Sequence, residues 1–241
     1  MLDDALEQAR TRLHQLLSGH GAVDQSRAAS RLFAGDFTSS ATVGEEFGNS
    51  HLGLGVMQDI AGEVVSLHGV TWRIPADGTP QRAADMERLA FGIAAHGGRR
   101  HRLAIAPGAN FAAVSRTIDR YLEASQHVAD EVICAVEITG TFHDVLLRTV
   151  APPAFVGEDL ASIIEHETRF SFAEWHGSAV GFRFPDLQSG ITLPGLHLHA
   201  ISSDERSGGH VRELTVQHVT ANIWIDEFHS PRELPDRSTT A

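Results

Sequence analysis

Apolar and polar positions change period several times along this 241-residue chain, and each change marks an element. Leu6, Ala9, Leu13 and Leu16 recur at helical spacing and predict an amphipathic opening helix over residues 3 to 17. Residues 18 to 50, rich in Gly, Ser, Ala and Thr, show no clear period and predict loop with short elements. EVVSL and VTWRI then flank His68-Gly69, a two-residue hairpin signal, and ADGTPQ follows as a turn. ANFAAVSRTIDRYLEA, residues 109 to 124, returns to helical spacing with Asn110 placed as its cap.

From there the chain turns to strand. EVICAVEITGTF and VLLRTV are β-branched runs closed by Pro152-Pro153, and a short helix is expected around DLASIIEHE. SAVGFRF, LHLHAI and HVRELTVQHVTANIWI are strand-like and separated by Gly, Pro, Ser and Asp, while SPRELPDRSTTA reads as a frayed tail. The pattern contains no internal repeat. The Pro-Pro break suggests two closely packed halves: residues 1-150 as an α/β half with a mixed sheet, and 151-241 as a β-rich half.

Composition narrows the function classes. With 42% hydrophobic and 21% charged residues the chain is an ordinary globular one. It has no apolar run near the ~20 residues of a membrane span. Its acidic start does not resemble a secretory leader, so a cytoplasmic protein with no membrane partner is expected. A formal net charge of −12 argues against nucleic acid as a partner, yet leaves room for a small anion held by a local arginine. One cysteine, Cys134, excludes internal disulfides and a thiolate-rich metal site, and its apolar surroundings predict a buried inert thiol. Fifteen histidines point instead to imidazole and carboxylate as ligands for any transition metal.

The informative segment is GLHLHAISSDERSGGHV, residues 195 to 211. Side chains two apart on a strand share a face, so His197 and His199 lie together. SSDERSGG reverses the chain, and His210 begins the returning strand, where it can lie across from them. Three imidazoles with a fourth position free is the pattern of an open catalytic zinc site. The bland alternative, a solvated strand face with an incidental third histidine, fits the spacing equally well. His218, eight residues past His210, falls on the same face by parity and is a candidate for supporting a ligand, or simply a polar strand histidine. Trp72, Trp175 and Trp224 read as core or interface residues, and His143, His166 and His176 carry no assignment.

The same segment, with GFRFPDLQSGITLP before it, resembles the acetolactate decarboxylase family. So do ITGTFHDVLLRTV, where that family has a strand pair ending in Arg-Thr, and HLGLGVMQDIAGEVVSLHGVTWRIPADG, with Gly-Glu before a hairpin. The blocks keep their order from about residue 51 to residue 224. The resemblance implies His197, His199 and His210 as ligands of Zn2+, Arg148 as the active-site arginine and Glu63 as an active-site glutamate. It also implies an α/β fold with two sheet-based halves, a homodimer, and conversion of 2-acetolactate to acetoin and carbon dioxide. Three departures accompany it. Val56 stands where the family often has Thr, the hairpin reads Leu67-His68-Gly69 rather than LDG, and a second active-site glutamate has only Glu227 and Glu233 as weak candidates.

The chemistry suits these groups. Loss of carbon dioxide leaves an electron pair that must flow into the neighbouring ketone, which a Lewis acid favours. The substrate is then its own electron sink, and no organic cofactor is required. Arg148 offers a planar fork to an anion, or forms a surface pair with Asp144; Glu63 is a proton donor, or merely a strand-edge carboxylate. The rivals are another zinc enzyme of hydrolase type, for which no base motif is evident, and a metal- or ligand-binding protein without catalysis.

Overall fold

The computed structural model describes residues 22–26, 29–38, 41–127, 132–185, 194–226 and 232–233. Two β-sheets lie face to face. The first contains β1 (Ala22–Gln25), β2 (Leu52–Met57), β3 (Glu63–Leu67), β4 (Val70–Ile74), β5 (Gln81–Arg82), β6 (Leu89–His96) and the short β12 (Arg232–Glu233). Its order is β12-β1-β6-β2-β3-β4-β5, antiparallel except for the parallel β12–β1 pair. The second contains β7 (Arg100–Leu103), β8 (Ile133–Thr149), β9 (Thr168–Phe184), β10 (Gly195–Ser202) and β11 (Gly208–Asp226) in the order β10-β9-β8-β11-β7, all antiparallel. One further pairing, β10 with β11, curls this sheet back on itself.

The β3–β4 hairpin turns as expected. His68 and Gly69 both take positive φ, 51° and 79°, the backbone that matches a tight turn to the strands' twist. Helices α1 (Ala29–Phe33), α2 (Val43–Phe47), α3 (Phe111–Ala124) and α4 (Leu160–Glu165) close the outer faces and one end. Asn110 caps α3 by accepting from the Ala113 amide at 2.9 Å. Val114, Ile118 and Leu122, four apart, put one fully buried stripe on the second sheet. Thr42 and Glu45 form a reciprocal capping box on α2.

Three apolar layers follow from the strand alternation. Between the sheets, Leu54, Val65, Ile74, Phe91 and Ile93 meet Ala135, Val180, Phe182 and Trp224. Beneath α3, Cys134, Val136, Ile138, Leu198 and Ile223 form a second layer, and α2 covers a third around Val64 and Leu89. Trp72, Trp175 and Trp224 are core residues, as read from the sequence. Cys134 is fully buried, and burial pushes its thiol up to about 12, which makes it inert at neutral pH. Among the described residues no helix is long and apolar enough to cross a membrane.

Several expectations need correction. EVICAVEITGTF and VLLRTV are one 17-residue strand, β8, with Asp144 at φ 49° where its register against β11 slips. The molecule does not divide at Pro152-Pro153. β7 and β8 precede that break yet belong to the second sheet, where β8 pairs with β9 beyond it; the chain changes sheet between β6 and β7 and returns to the first sheet at β12. The opening helix over residues 3 to 17 and Glu227 lie outside the described residues.

Glu46, on α2, is buried to 1%. Burial first, and the Asp24 charge second, hold its carboxyl well above the ordinary value of 4.5, against the pull of the Ser26 backbone. The folded state therefore retains a proton that the unfolded chain releases as pH rises past 4.5, and stability is lost in that direction. Glu46→Gln removes this cost. Thermal melts should show the variant gaining on the wild type as pH rises above about 4.5, with no gain at pH 4.

Candidate metal and substrate site

His197 and His199 lie on β10 with side chains on the face that looks toward the first sheet, and His199 stands directly opposite His210 of β11. The His199 and His210 ring centroids are 5.3 Å apart, and those of His197 and His210 are 5.9 Å apart. His210 in turn pairs with Arg148 on β8. Glu63 begins β3 on the facing sheet, buried to 2%. It accepts from Arg148 Nη1 at 2.8 Å, and its Oε2 lies 3.4 Å from His199 Nε2. The structure thus brings together all five residues singled out in the sequence, across the gap between the sheets.

Two glycines explain why GG precedes His210. A Cβ on Gly209 would sit 2.6 Å from the Arg148 carbonyl, and its φ of 146° suits no side chain. A Cβ on Gly208 would meet Ile74 at 2.6 Å. Glycine at both positions lets β11 approach β8 and the first sheet closely, which carries His210 into the cluster.

The orientation of His199 decides the chemistry. A carbonyl can only accept, so the 2.8 Å contact with Val64 O makes Nδ1 the donor. The other nitrogen, Nε2, then presents a lone pair, and it faces a carboxylate oxygen. Burial is the main force lowering the pKa of His199, against the pull of Glu63 and the Val64 carbonyl. Burial likewise lowers His197 to about 4, while the Pro194 carbonyl favours its charged form. His210 falls well below 6.5, through burial and then the Arg148 charge. Each shift favours the neutral ring, the form that a metal ligand must take. Two electron-rich atoms 3.4 Å apart in a buried site are reconciled by a shared proton or by a cation between or beside them. The donor set fits a borderline divalent ion. As placed, no group of three or more His, Cys, Asp or Glu among the described residues has the spacing to hold an ion, so binding by the three rings requires their side chains to draw together.

Arg148 does not form the surface pair with Asp144. Its fork lies between Glu63 and Glu167, whose Oε2 is 3.5 Å from Nε. Glu167, with a side chain only 4% exposed, also binds Arg169 at 2.7 Å and lies 3.9 Å from Arg212. Sequence reasoning missed Glu167. It follows α4 directly and nothing in the pattern distinguishes it from Glu165. Val56 pairs across the ladder with Glu63 and is half-buried on the same face, so it lines the site with hydrocarbon.

His218 is exposed and outside the cluster. Register slips between Val211 and Glu213, Glu213 and Thr215, and Val216 and His218 break the parity argument that had joined it to His210. His166 and His176 are exposed, and His143 is bound to the Ala173 carbonyl, all away from the site. Glu233 lies on β12, where its backbone pairs with Gln25 of β1.

Gly209→Ala should therefore act on geometry. Overpacking against the Arg148 carbonyl costs about 1–3 kcal/mol. The variant should melt lower and bind a divalent ion more weakly than the wild type by isothermal titration, whereas Gly97→Ala, a glycine with no neighbour within 4 Å, should leave binding unchanged.

Comparison with known proteins gives the family and the fold. Residues 24–237 match the sequence model of the alpha-acetolactate decarboxylase family. The alpha-acetolactate decarboxylase of Brevibacillus brevis is 26% identical over 198 residues, 82% of this chain and 67% of that protein. The enzyme of that name from Lactococcus lactis is 25% identical over 207 residues, 86% of this chain and 85% of its own. The crystal structure of acetolactate decarboxylase from Bacillus subtilis subspecies spizizenii has the same fold, with a TM-score of 0.79 at 22% identity, covering 90% of this chain and 91% of that one. A Staphylococcus aureus protein described as similar to alpha-acetolactate decarboxylase also gives 0.79, at 20% identity and 88% coverage of both chains. The chain belongs to the alpha-acetolactate decarboxylase family.

Proposed function

We propose that this protein is a cytoplasmic, Zn2+-dependent carboxy-lyase that converts 2-acetolactate to acetoin and carbon dioxide. The observation that carries the proposal is the His199 Nε2–Glu63 Oε2 approach at 3.4 Å, with Arg148 on the same carboxylate. Family membership supports the reaction. A homodimer is part of the proposal on the family resemblance alone.

His197, His199 and His210 would hold the ion, which supplies Lewis acidity for the substrate's ketone. Arg148 provides the positive fork for the substrate carboxylate in a molecule whose net charge of −12 otherwise repels it. Its position is set by Glu63 on one side and Glu167 on the other, so the fork is ordered before substrate arrives. Val56, Phe182 and Phe184 keep the surroundings apolar, which strengthens each charge interaction. When the bond to the carboxylate breaks, its electron pair enters the adjacent ketone and gives an enediolate. A proton must then reach the carbon that lost carbon dioxide. Glu63 would deliver it: Oε1 is engaged by Arg148, and Oε2, the oxygen turned toward the histidines, would take a proton from solvent and pass it to that carbon. Delivery from one fixed side produces one enantiomer of acetoin.

The reading is tested by incubating purified protein with racemic acetolactate and measuring acetoin and its handedness. Turnover should exceed spontaneous decay and fall to it with a chelator; unchanged turnover after complete metal removal would contradict the proposal. Arg148→Lys keeps the charge but loses the fork and should lower kcat/KM by about 10²–10³-fold. Glu63→Gln should retain bound metal while losing about 10²–10⁴ in kcat. Full activity in Glu63→Gln would remove it as proton donor.

A further inference from the structure

A second set of nitrogen and carboxylate donors lies at another point on the seam between the sheets. His51 precedes β2, His68 forms the tip of the β3–β4 hairpin, and Glu137 stands on β8 of the facing sheet. His68 Nε2 is 3.1 Å from Glu137 Oε1, and His51 Nε2 is 3.9 Å from Oε2. Two imidazoles from one sheet thus address one carboxylate from the other. The rings meet edge to face with centroids 4.8 Å apart. Trp224 packs on His51 at 4.5 Å, and Asn222 donates to Glu137 Oε2 at 3.5 Å, so both ring and carboxylate are supported from behind.

Three features of this trio lack a purpose in the fold alone. His51 Nε2 is buried and has no hydrogen-bond partner, although it points at a carboxylate. His68 holds the positive-φ corner of a tight turn, where Asn, Asp or Gly is the ordinary choice. Glu137 is a buried carboxylate, 8% exposed, met only by groups from the other sheet and Asn222. Burial, and then the His68 and Arg100 charges, lower the pKa of His51 against the pull of Glu137, so the ring offers a lone pair at neutral pH.

We propose that His51, His68 and Glu137 form a second cation site, separate from the three-histidine cluster, which takes a first-row divalent transition ion and clamps the two sheets together. Two imidazoles and one carboxylate suit Zn2+, Co2+ or Ni2+, whereas Mg2+ and Ca2+ prefer an all-oxygen shell. Bonds of about 2.0–2.1 Å in a tetrahedral shell put neighbouring donors roughly 3.3 Å apart. As placed the trio does not have the spacing of a metal shell: the His68 limb meets it, the His51 limb exceeds it by about half an ångström, and binding requires the His51 ring to turn toward the carboxylate. His68, 54% exposed, opens the site to solvent and leaves coordination positions for water. Arg100 on β7 opposes the cation, but it is exposed and screened. The two sites are distinct: His199, Val180 and Glu137 stand in one row across β10, β9 and β8, which separates them by roughly 10 Å with buried Val180 between.

Full-length protein stripped of metal is titrated with Co2+, whose visible absorption reports nitrogen and oxygen ligands. The wild type should take two equivalents, His199→Ala one, and the double variant His199→Ala/His68→Asn none. Asn tolerates the turn backbone, so loss of binding in that variant is not loss of the hairpin; Glu137→Gln in the same background should behave alike. Zn2+ should raise the melting temperature of His199→Ala by a few degrees and leave the double variant unmoved. Acetoin production by His68→Asn alone should stay within about twofold of wild type. The proposal is overturned if His68→Asn and Glu137→Gln leave Co2+ binding by His199→Ala unchanged, or if His199→Ala binds none. A single equivalent in the wild type, lost in His68→Asn and kept in His199→Ala, would sustain this site while removing the three-histidine one.

Discussion

The site depends on one hydrogen bond, from His199 Nδ1 to the Val64 carbonyl at 2.8 Å. It joins the two sheets, and it also sets which nitrogen of the ring is free. With Nδ1 committed and the ring neutral, Nε2 offers its lone pair, and that lone pair faces Glu63. Were the tautomer reversed, Nε2–H would donate to the carboxylate and the pair would be satisfied without an ion. A backbone carbonyl on the first sheet thereby turns a lone pair of the cluster on the second sheet toward Glu63, the arrangement on which the proposed ion site rests. Glu63 and Val64 are consecutive, so the carboxylate and the carbonyl that orient His199 share one rigid strand.

The arrangement also explains how a strongly acidic chain can receive an anion. Glu63 and Glu167 are both nearly inaccessible, and both are directed at Arg148. Arg169 and Arg212, more exposed, approach Glu167 from the outside. Three guanidinium groups meet two carboxylates here, which leaves a local positive excess while the molecule as a whole carries −12. The buried pairs fix direction more than they add stability, because the desolvation of each charge offsets most of the attraction.

Local features were legible in the sequence, and cross-sheet ones were not. His68-Gly69 announced its turn, Asn110 its cap, and His197, His199 and His210 their common face, because each rests on spacing along one strand or one reversal. The GG before His210 was visible as a motif, but its reason, the Arg148 carbonyl 2.6 Å from where a Cβ would be, belongs to the packing. His218 shows how parity fails: three slips in the β11 ladder changed the count between it and His210. Arg148 with Glu63 spans 85 positions and two sheets, so no period could pair them, and only the family resemblance named both. Glu167 had neither signal. The division at Pro152-Pro153 failed because a proline pair marks a break in local pairing and says nothing of which sheet the next strand joins.

The central claim is that three neutral imidazoles and Glu63 gather around one cation. Anomalous diffraction above the zinc edge, on crystals grown with Zn2+, tests it directly. The account predicts a strong peak within bonding distance, about 2.0–2.1 Å, of His197, His199 and His210 nitrogens, with His199 still donating through Nδ1 to Val64. A map with no peak among those rings, or a His199 ring turned so that Nδ1 no longer meets the Val64 carbonyl, would contradict it.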